Sequence, residues 1–209
     1  MPRLAPENTL PSFSLALEAG ADGLELDVHA TRDGVVVIHH DPALRDGTVI
    51  ADTTFAELRP HEVAPGVAVP TLAELCELVA GRAELCVEVK GAGIEQLVLD
   101  ALSDYEGPLA IHSFDHALIR RIRALDPNVR LGILFDDAPT EVARQMEATG
   151  ATDVWPQWTL VEPALVAAVH AAGGRVIPWT VNDTRHARAL AAIGVDALCG
   201  DDVNLLVTD

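Results

Sequence analysis

Apolar and polar residues alternate along this chain at two different periods, and the change from one to the other marks its elements. From Gly23 to Ala30 (GLELDVHA) the alternation is strict, which predicts a strand with Glu25, Asp27 and His29 on one face. Arg32-Asp33-Gly34 is a turn signal, and the β-branched run at 35–38 returns as a second strand ending in His39-His40-Asp41. Ahead of this hairpin, Phe13, Leu15, Ala16, Leu17 and Ala19 form a helical stripe. Asn8 or Thr9 caps that helix, Pro11 suits its first turn and Gly20 ends it. Residues 1–6 are expected to be extended and to contribute no strand.

The stretch from Asp41 to Val69 is irregular, with Pro42, Pro60, Pro65 and Gly66, and holds one short helical piece at 55–58. It is read as an insertion at about 42–70. Thr71 then caps a helix to about Val79, and the alternation becomes regular. Strands are expected at 84–89, 109–111, 131–135, 153–155, 176–181 and 196–199. Helices are expected at 94–102, 117–125, 142–148, 163–172 and 185–192. Units of roughly 25 residues with near-continuous apolar strands describe a parallel sheet covered by helices. The best fit is a single domain over 1–209 with a TIM-type (β/α) barrel. The alternative, an open doubly wound sheet, lacks its glycine fingerprint after any strand. About seven strands are counted where such a barrel has about eight, so the first strand is expected to be missing from this chain. No repeat is visible beyond the β/α period.

Composition sharpens this picture. At 49% hydrophobic and 4% aromatic, the core must be built mainly from Ala, Val, Leu and Ile. A net charge of −18 repels nucleic acid and anionic bilayers, and no apolar segment is long enough for membrane insertion. It also means that a phosphorylated substrate needs a locally positive site, which a bound cation supplies. Three widely spaced cysteines, with no CxxC pair, read as reduced core residues of a cytoplasmic protein. No signal peptide is visible from Met1 onward, and one upstream of Met1 would change that localisation.

The candidate chemistry sits on inward strand positions. Glu25 and Asp27 share a face that would otherwise be core, and Glu88, with Cys86 and Lys90, repeats the pattern on the next barrel strand. Three converging carboxylates raise one another's pKa unless a cation or a lysine neutralises them. Oxygen ligands favour Mg²⁺, Ca²⁺ or Mn²⁺ over zinc. Lys90, the single lysine, can bind a phosphate oxygen or a carboxylate. His40 is the first candidate acid/base, His39 its competitor on the opposite face, and His112 a second inward candidate. Trp179 is read either as pocket lining or as a core filler, and Trp155 and Trp158 likewise. Asn182-Asp183-Thr184 reads as helix-cap chemistry.

These residues resemble the glycerophosphodiester phosphodiesterases over nearly the whole chain. The matching pieces are Pro6-Glu7-Asn8-Thr9, Glu25-Leu26-Asp27-Val28, Thr31-Arg32-Asp33-Gly34, His40-Asp41 and Pro70-Thr71-Leu72. They continue with Glu88-Val89-Lys90, Ser113-Phe114, Trp179-Thr180-Val181-Asn182 and Gly194-Val195-Asp196. The resemblance implies a β/α barrel that hydrolyses small-molecule glycerophosphodiesters to an alcohol and glycerol phosphate with a divalent cation, Mg²⁺ or Ca²⁺. It implies Glu25, Asp27 and Glu88 as metal ligands, His40 as one of two catalytic histidines, and Lys90 and Trp179 as site-lining residues. The family's His-Arg-Gly motif, expected a few residues before Pro6, has no counterpart here. Impaired catalysis is therefore expected of this chain. An open barrel edge also invites a homo-oligomeric contact. Two other readings stand beside this one: a non-catalytic metal- or phosphate-binding barrel, and a phospholipase D-like lipid hydrolase with an apolar mouth.

Overall fold

In the computed structural model, which describes residues 1–206, the chain falls into two compact units, Met1–Leu109 and Ala110–Asp209. The first unit runs α1 (Leu10–Glu18), β1 (Gly23–Ala30), β2 (Val36–Ile38), α2 (Phe55–Leu58), β3 (Glu62–Ala64), β4 (Val67–Ala68), α3 (Leu72–Val79), β5 (Glu84–Val89) and α4 (Glu95–Leu102). Residues 1–9 hold no strand, but they are turned rather than extended, with the amides of Leu4 and Ala5 donating to the Met1 carbonyl. Thr9 is the N-cap of α1 and accepts from the Ser12 amide. Asn8 is therefore released from capping and stands in the left-handed region at φ 56°.

β1 is the centre of this unit. It pairs antiparallel with β2 and parallel with β5, in the register Glu25 to Cys86 and Asp27 to Glu88. The parallel ladder ends at Val28 and Val89, so Asp27 and Glu88 lie one rung from its end. β1 itself continues to Ala30, because Val28, His29 and Ala30 pair with β2. Between the strands, the Thr31 hydroxyl donates to the Asp33 carboxylate and accepts from the Val35 amide, while Gly34 supplies φ 84°. Leu24, Leu26, Val28, Leu85, Val87 and Val89 are all buried, leaving the other strand face to the carboxylates.

The insertion is more ordered than its prolines suggest. Leu44, Ile50, Leu58 and Val69 close a small apolar cluster over Val37, with Phe55 and Val63 packed against it. Within it β3 and β4 pair as a hairpin around Pro65-Gly66, which the irregular reading of 42–70 misses. A Pro-Gly turn with Gly66 at φ 74° accounts for the reversal.

The second unit runs β6 (Leu109–Ser113), α5 (His116–Leu125), β7 (Arg130–Phe135), α6 (Val142–Thr149), β8 (Asp153–Pro156), α7 (Pro163–Ala171), β9 (Arg175–Val176) and α8 (Thr184–Ala192). Strands β6, β7, β8 and β9 are parallel neighbours in that order. Gly132 lets the rings on either side meet: a Cβ there would stand 2.9 Å from Trp155 Nε1 and 3.0 Å from His112 Cβ. The His112 and Trp155 ring centroids are 4.4 Å apart.

Two expected strands are corrected. The strand over 176–181 shortens to Arg175–Val176, and 196–199 is no strand. Both segments still run side by side: the amides of Asp196 and Cys199 donate to the Val176 and Pro178 carbonyls, and the Val181 amide donates to that of Cys199. Pro178 has no N–H, so a regular ladder cannot pass through it. Among the described residues no helix is long and apolar enough to cross a membrane.

The first residues of β7, β8 and β9 form an ion cluster. Asp153 is fully buried and accepts from Arg175 Nε at 2.9 Å and Nη2 at 2.6 Å, with Arg130 Nε at 3.2 Å. Each arginine side chain stays about a third exposed, so the pairing is at the weaker end of buried ion pairs. Asp153→Asn should therefore lower unfolding stability by about 3 kcal/mol, read from the urea midpoint with the far-ultraviolet spectrum unchanged. An unaltered midpoint would show that the cluster does not hold these strand ends.

Candidate active site

The alternation of β1 and its register with β5 bring Glu25, Asp27 and Glu88 to one face. Asp27 and Glu88 are buried, and carboxylate oxygens of Glu25 and Glu88 approach within 4.8 Å. Lys90 follows β5 on the same face, its amide held by the Val28 carbonyl. Its Nζ sits 2.8 Å from Glu88 Oε1 and 3.1 Å from Asp27 Oδ1. Of the two partners the sequence leaves open for Lys90, a carboxylate is the one observed, and it is two carboxylates. Burial opposes the ammonium charge, but Asp27 and Glu88 outweigh it and hold the Lys90 pKa above its ordinary value.

Glu25 is held toward its neutral form. Burial, reinforced by the neighbouring Asp27 and Glu7 charges, pushes its carboxyl up to about 8, against the opposing pull of Lys90 and His40. A hard divalent cation would reverse that shift by accepting the ionised oxygens.

Asn8 is the residue that sequence reasoning missed here. Its Nδ2 donates to Asp27 Oδ2 at 2.8 Å, and its Oδ1 accepts the Asp27 amide at 3.1 Å. The side chain thus fixes both ends of Asp27 from nineteen residues away. Read locally, Asn before Thr-Leu-Pro is one of two equivalent caps. The left-handed backbone that turns it toward β1 is a tertiary outcome. The second unit repeats the device: Asn182 Nδ2 donates to Asp201 Oδ2 at 2.6 Å and its Oδ1 accepts the Asp201 amide at 2.9 Å, again nineteen residues apart. Asp183, not Asn182, caps α8.

His40 is carried past the end of the hairpin. The His39 amide donates to the Asp27 carbonyl, and the His29 ring meets the His40 carbonyl at 3.2 Å. Burial lowers the His29 pKa, although that carbonyl contact works the other way. His40 Nδ1 lies 2.8 Å from Asp41 Oδ1. A carboxylate only accepts, so Nδ1 carries the proton and Nε2 is left to exchange one. The His40 hydrogen bond in turn holds Asp41 below the usual carboxylate range. His39 instead bonds the Asp41 carbonyl through Nδ1 at 2.8 Å.

In the second unit Trp179 sits beyond the end of β8, its Nε1 donating to the Trp155 carbonyl at 2.9 Å. Its ring meets Phe114 edge-on, centroids 5.6 Å apart. Trp158 stacks on His186 at 4.3 Å and packs with Val181, Ala187 and Leu190, the core role of its two readings. His112 is fully buried on β6.

Residues 1–205 match the model of the glycerophosphoryl diester phosphodiesterase family. The chain belongs to that family. A glycerophosphodiester phosphodiesterase of Caldanaerobacter subterraneus is 31% identical, over 97% of this chain and 91% of that protein. Among solved structures, a putative glycerophosphoryl diester phosphodiesterase from Silicibacter pomeroyi superposes with a TM-score of 0.88 at 28% identity, covering 96% of this chain and 87% of the other. An Oleispira antarctica phosphodiesterase in complex with the product sn-glycerol-3-phosphate gives 0.88 at 29%, covering 94% and 88%. The fold class is accordingly the α/β barrel of TIM type, and the family is one of phosphodiester hydrolases.

The raised Glu25 pKa has a signed consequence. Between its ordinary 4.5 and about 8 the folded chain holds a proton that the unfolded chain releases. The Glu25 contribution to stability therefore falls as pH rises through that window. In chelator-treated protein, wild type should lose stability relative to Glu25→Gln between these pH values, measured as the difference of urea midpoints. A difference that stays constant with pH would refute it.

Proposed function

We propose that this chain hydrolyses glycerophosphodiesters to an alcohol and glycerol phosphate, with Glu25, Asp27 and Glu88 as ligands of a divalent cation. The observation that carries this reading is the shared face of three carboxylates in a chain of this family, with Glu25 driven toward protonation by burial and by the Asp27 charge. The donor chemistry suits Mg²⁺ or Ca²⁺, both oxygen-seeking. When bound, such an ion supplies positive charge against a phosphate's oxygens.

The chain's own residues do the rest. Asn8 keeps Asp27 in place, and Lys90 bridges Asp27 and Glu88 so that the acidic face is partly neutral before substrate arrives. His40 moves the proton at Nε2, with Asp41 fixing the tautomer through Nδ1. Trp179, buttressed by Phe114 and tied to the Trp155 carbonyl, offers an apolar wall for the glycerol carbons. The Oleispira antarctica relative holds sn-glycerol-3-phosphate, the product this reaction would leave.

The test is hydrolysis of glycerophosphocholine with Mg²⁺ or Ca²⁺, followed as released glycerol phosphate. Chelation should abolish it, and His40→Ala should lower kcat by roughly 10²–10⁴-fold. These residues carry one histidine of the pair that the family resemblance implies. A chain extended upstream by a His-Arg-Gly strand should therefore be faster by a factor of the same order. Equal rates for the two chains would overturn the expected impairment. Turnover unaffected by chelation would overturn the cation. No turnover from either chain would favour a non-catalytic binding barrel.

A further inference from the structure

Trp179 lies on chain that has already left its strand. β9 ends at Val176, Pro178 offers no N–H, and α8 does not begin until Thr184. On the β8 side three bonds reach the tryptophan. Its amide donates to the Pro156 carbonyl at 3.1 Å, its carbonyl accepts the Trp158 amide at 2.7 Å, and Nε1 donates to the Trp155 carbonyl at 2.9 Å.

The other side of this segment is held from residue 181 onward. Val181 is buried, and its amide donates to the Cys199 carbonyl at 2.8 Å. Gly200 lets the two stretches touch, since a Cβ there would overlap the Val181 carbonyl oxygen. Asn182 and Asp201 then join twice, through the 2.6 Å bond from Nδ2 to Oδ2 and the 2.9 Å bond from the Asp201 amide to Oδ1. The first of these has an ionised acceptor, which makes it the stronger kind of hydrogen bond. Neither residue is spent on capping. Asp183 caps α8 through the Arg185 and His186 amides, and Asp202 caps the turn at Val203–Leu205 through the Asn204 amide. What the pair does fix is the path of the chain just after Trp179. In the first unit the same exchange, Asn8 with Asp27, immobilises a residue of the proposed site itself.

We propose that Asn182 and Asp201 are positioning residues for the diester hydrolysis, holding the 179–182 chain so that the Trp179 ring is set in advance against the glycerol portion of the substrate. The inference rests on the reading of Trp179 as that apolar wall. Gly200 and Asp201 lie outside every piece on which the family resemblance stands.

A pair that works through two hydrogen bonds should tolerate exchange of its members. With Asn182→Asp and Asp201→Asn together, the carboxylate at position 182 accepts both from the side-chain amide and from the backbone amide at position 201. Asn182→Ala and Asp201→Ala should each raise KM for glycerophosphocholine, assayed with Mg²⁺, about tenfold while changing kcat less than about threefold. The exchanged double variant should recover most of that loss. In a Trp179→Ala background, Asn182→Ala should add no further loss, because the clamp acts through the ring. Single variants with the wild-type KM would overturn the proposal, as would an exchanged variant no better than either, a loss confined to kcat, or a full further loss in the Trp179→Ala background. A second measurement needs no substrate. In protein labelled with fluorotryptophan, the fluorine resonance that Trp179→Phe removes should shift or broaden in Asn182→Ala and return in the exchanged variant. If the wild-type chain hydrolyses no diester, the phosphodiesterase reading fails by itself and this resonance decides the positioning of the ring. An unmoved resonance would overturn it.

Discussion

Like charges forced onto one strand face are the constraint from which the first unit is built. Asp27 and Glu88 face each other across a parallel ladder, and Glu25 stands one pleat away on the same side. Buried carboxylates at such spacing are unfavourable when ionised unless positive charge or donors meet them. Lys90 meets Asp27 and Glu88, and Asn8 adds two hydrogen bonds to Asp27. Burial and the Asp27 charge leave Glu25 with a raised pKa. The proposal of a divalent ion on this face rests on that electrostatic tension, which positive charge would relieve.

The second unit solves a different problem at its opposite strand ends. Arg130, Asp153 and Arg175 start three adjacent parallel strands, and their ion pairs join those ends where no catalytic group is needed. Farther along β7, Gly132 gives up its side chain so that His112 and Trp155 can close over it. The residues that follow these strands form loops, where this architecture places its variable surface.

Much of this is legible in the residues taken singly. Strand 84–89 and the short helix 55–58 fall where the apolar pattern puts them, and the capping box of α3 follows from Thr71 and Glu74. The face shared by Glu25, Asp27 and Glu88 follows from a period of two. Other features are not legible. The hairpin inside the insertion depends on an apolar cluster drawn from five separated positions. The segments 176–181 and 196–199 look like strands by composition, yet Pro178 leaves them as paired extended chain. The Asn8–Asp27 clamp recurs as Asn182–Asp201, although neither pair forms part of any local period.

The sequence by itself determined which residues face inward and which chemistry they carry, because side-chain direction along a strand or helix follows from local backbone geometry alone. Partner choice was decided only by the tertiary structure. Lys90 reaching Asp27 at 3.1 Å and Asn8 turned from cap to clamp at 2.8 Å each depend on distances between segments far apart in the chain. Periodicity carries no information about such distances; packing sets them.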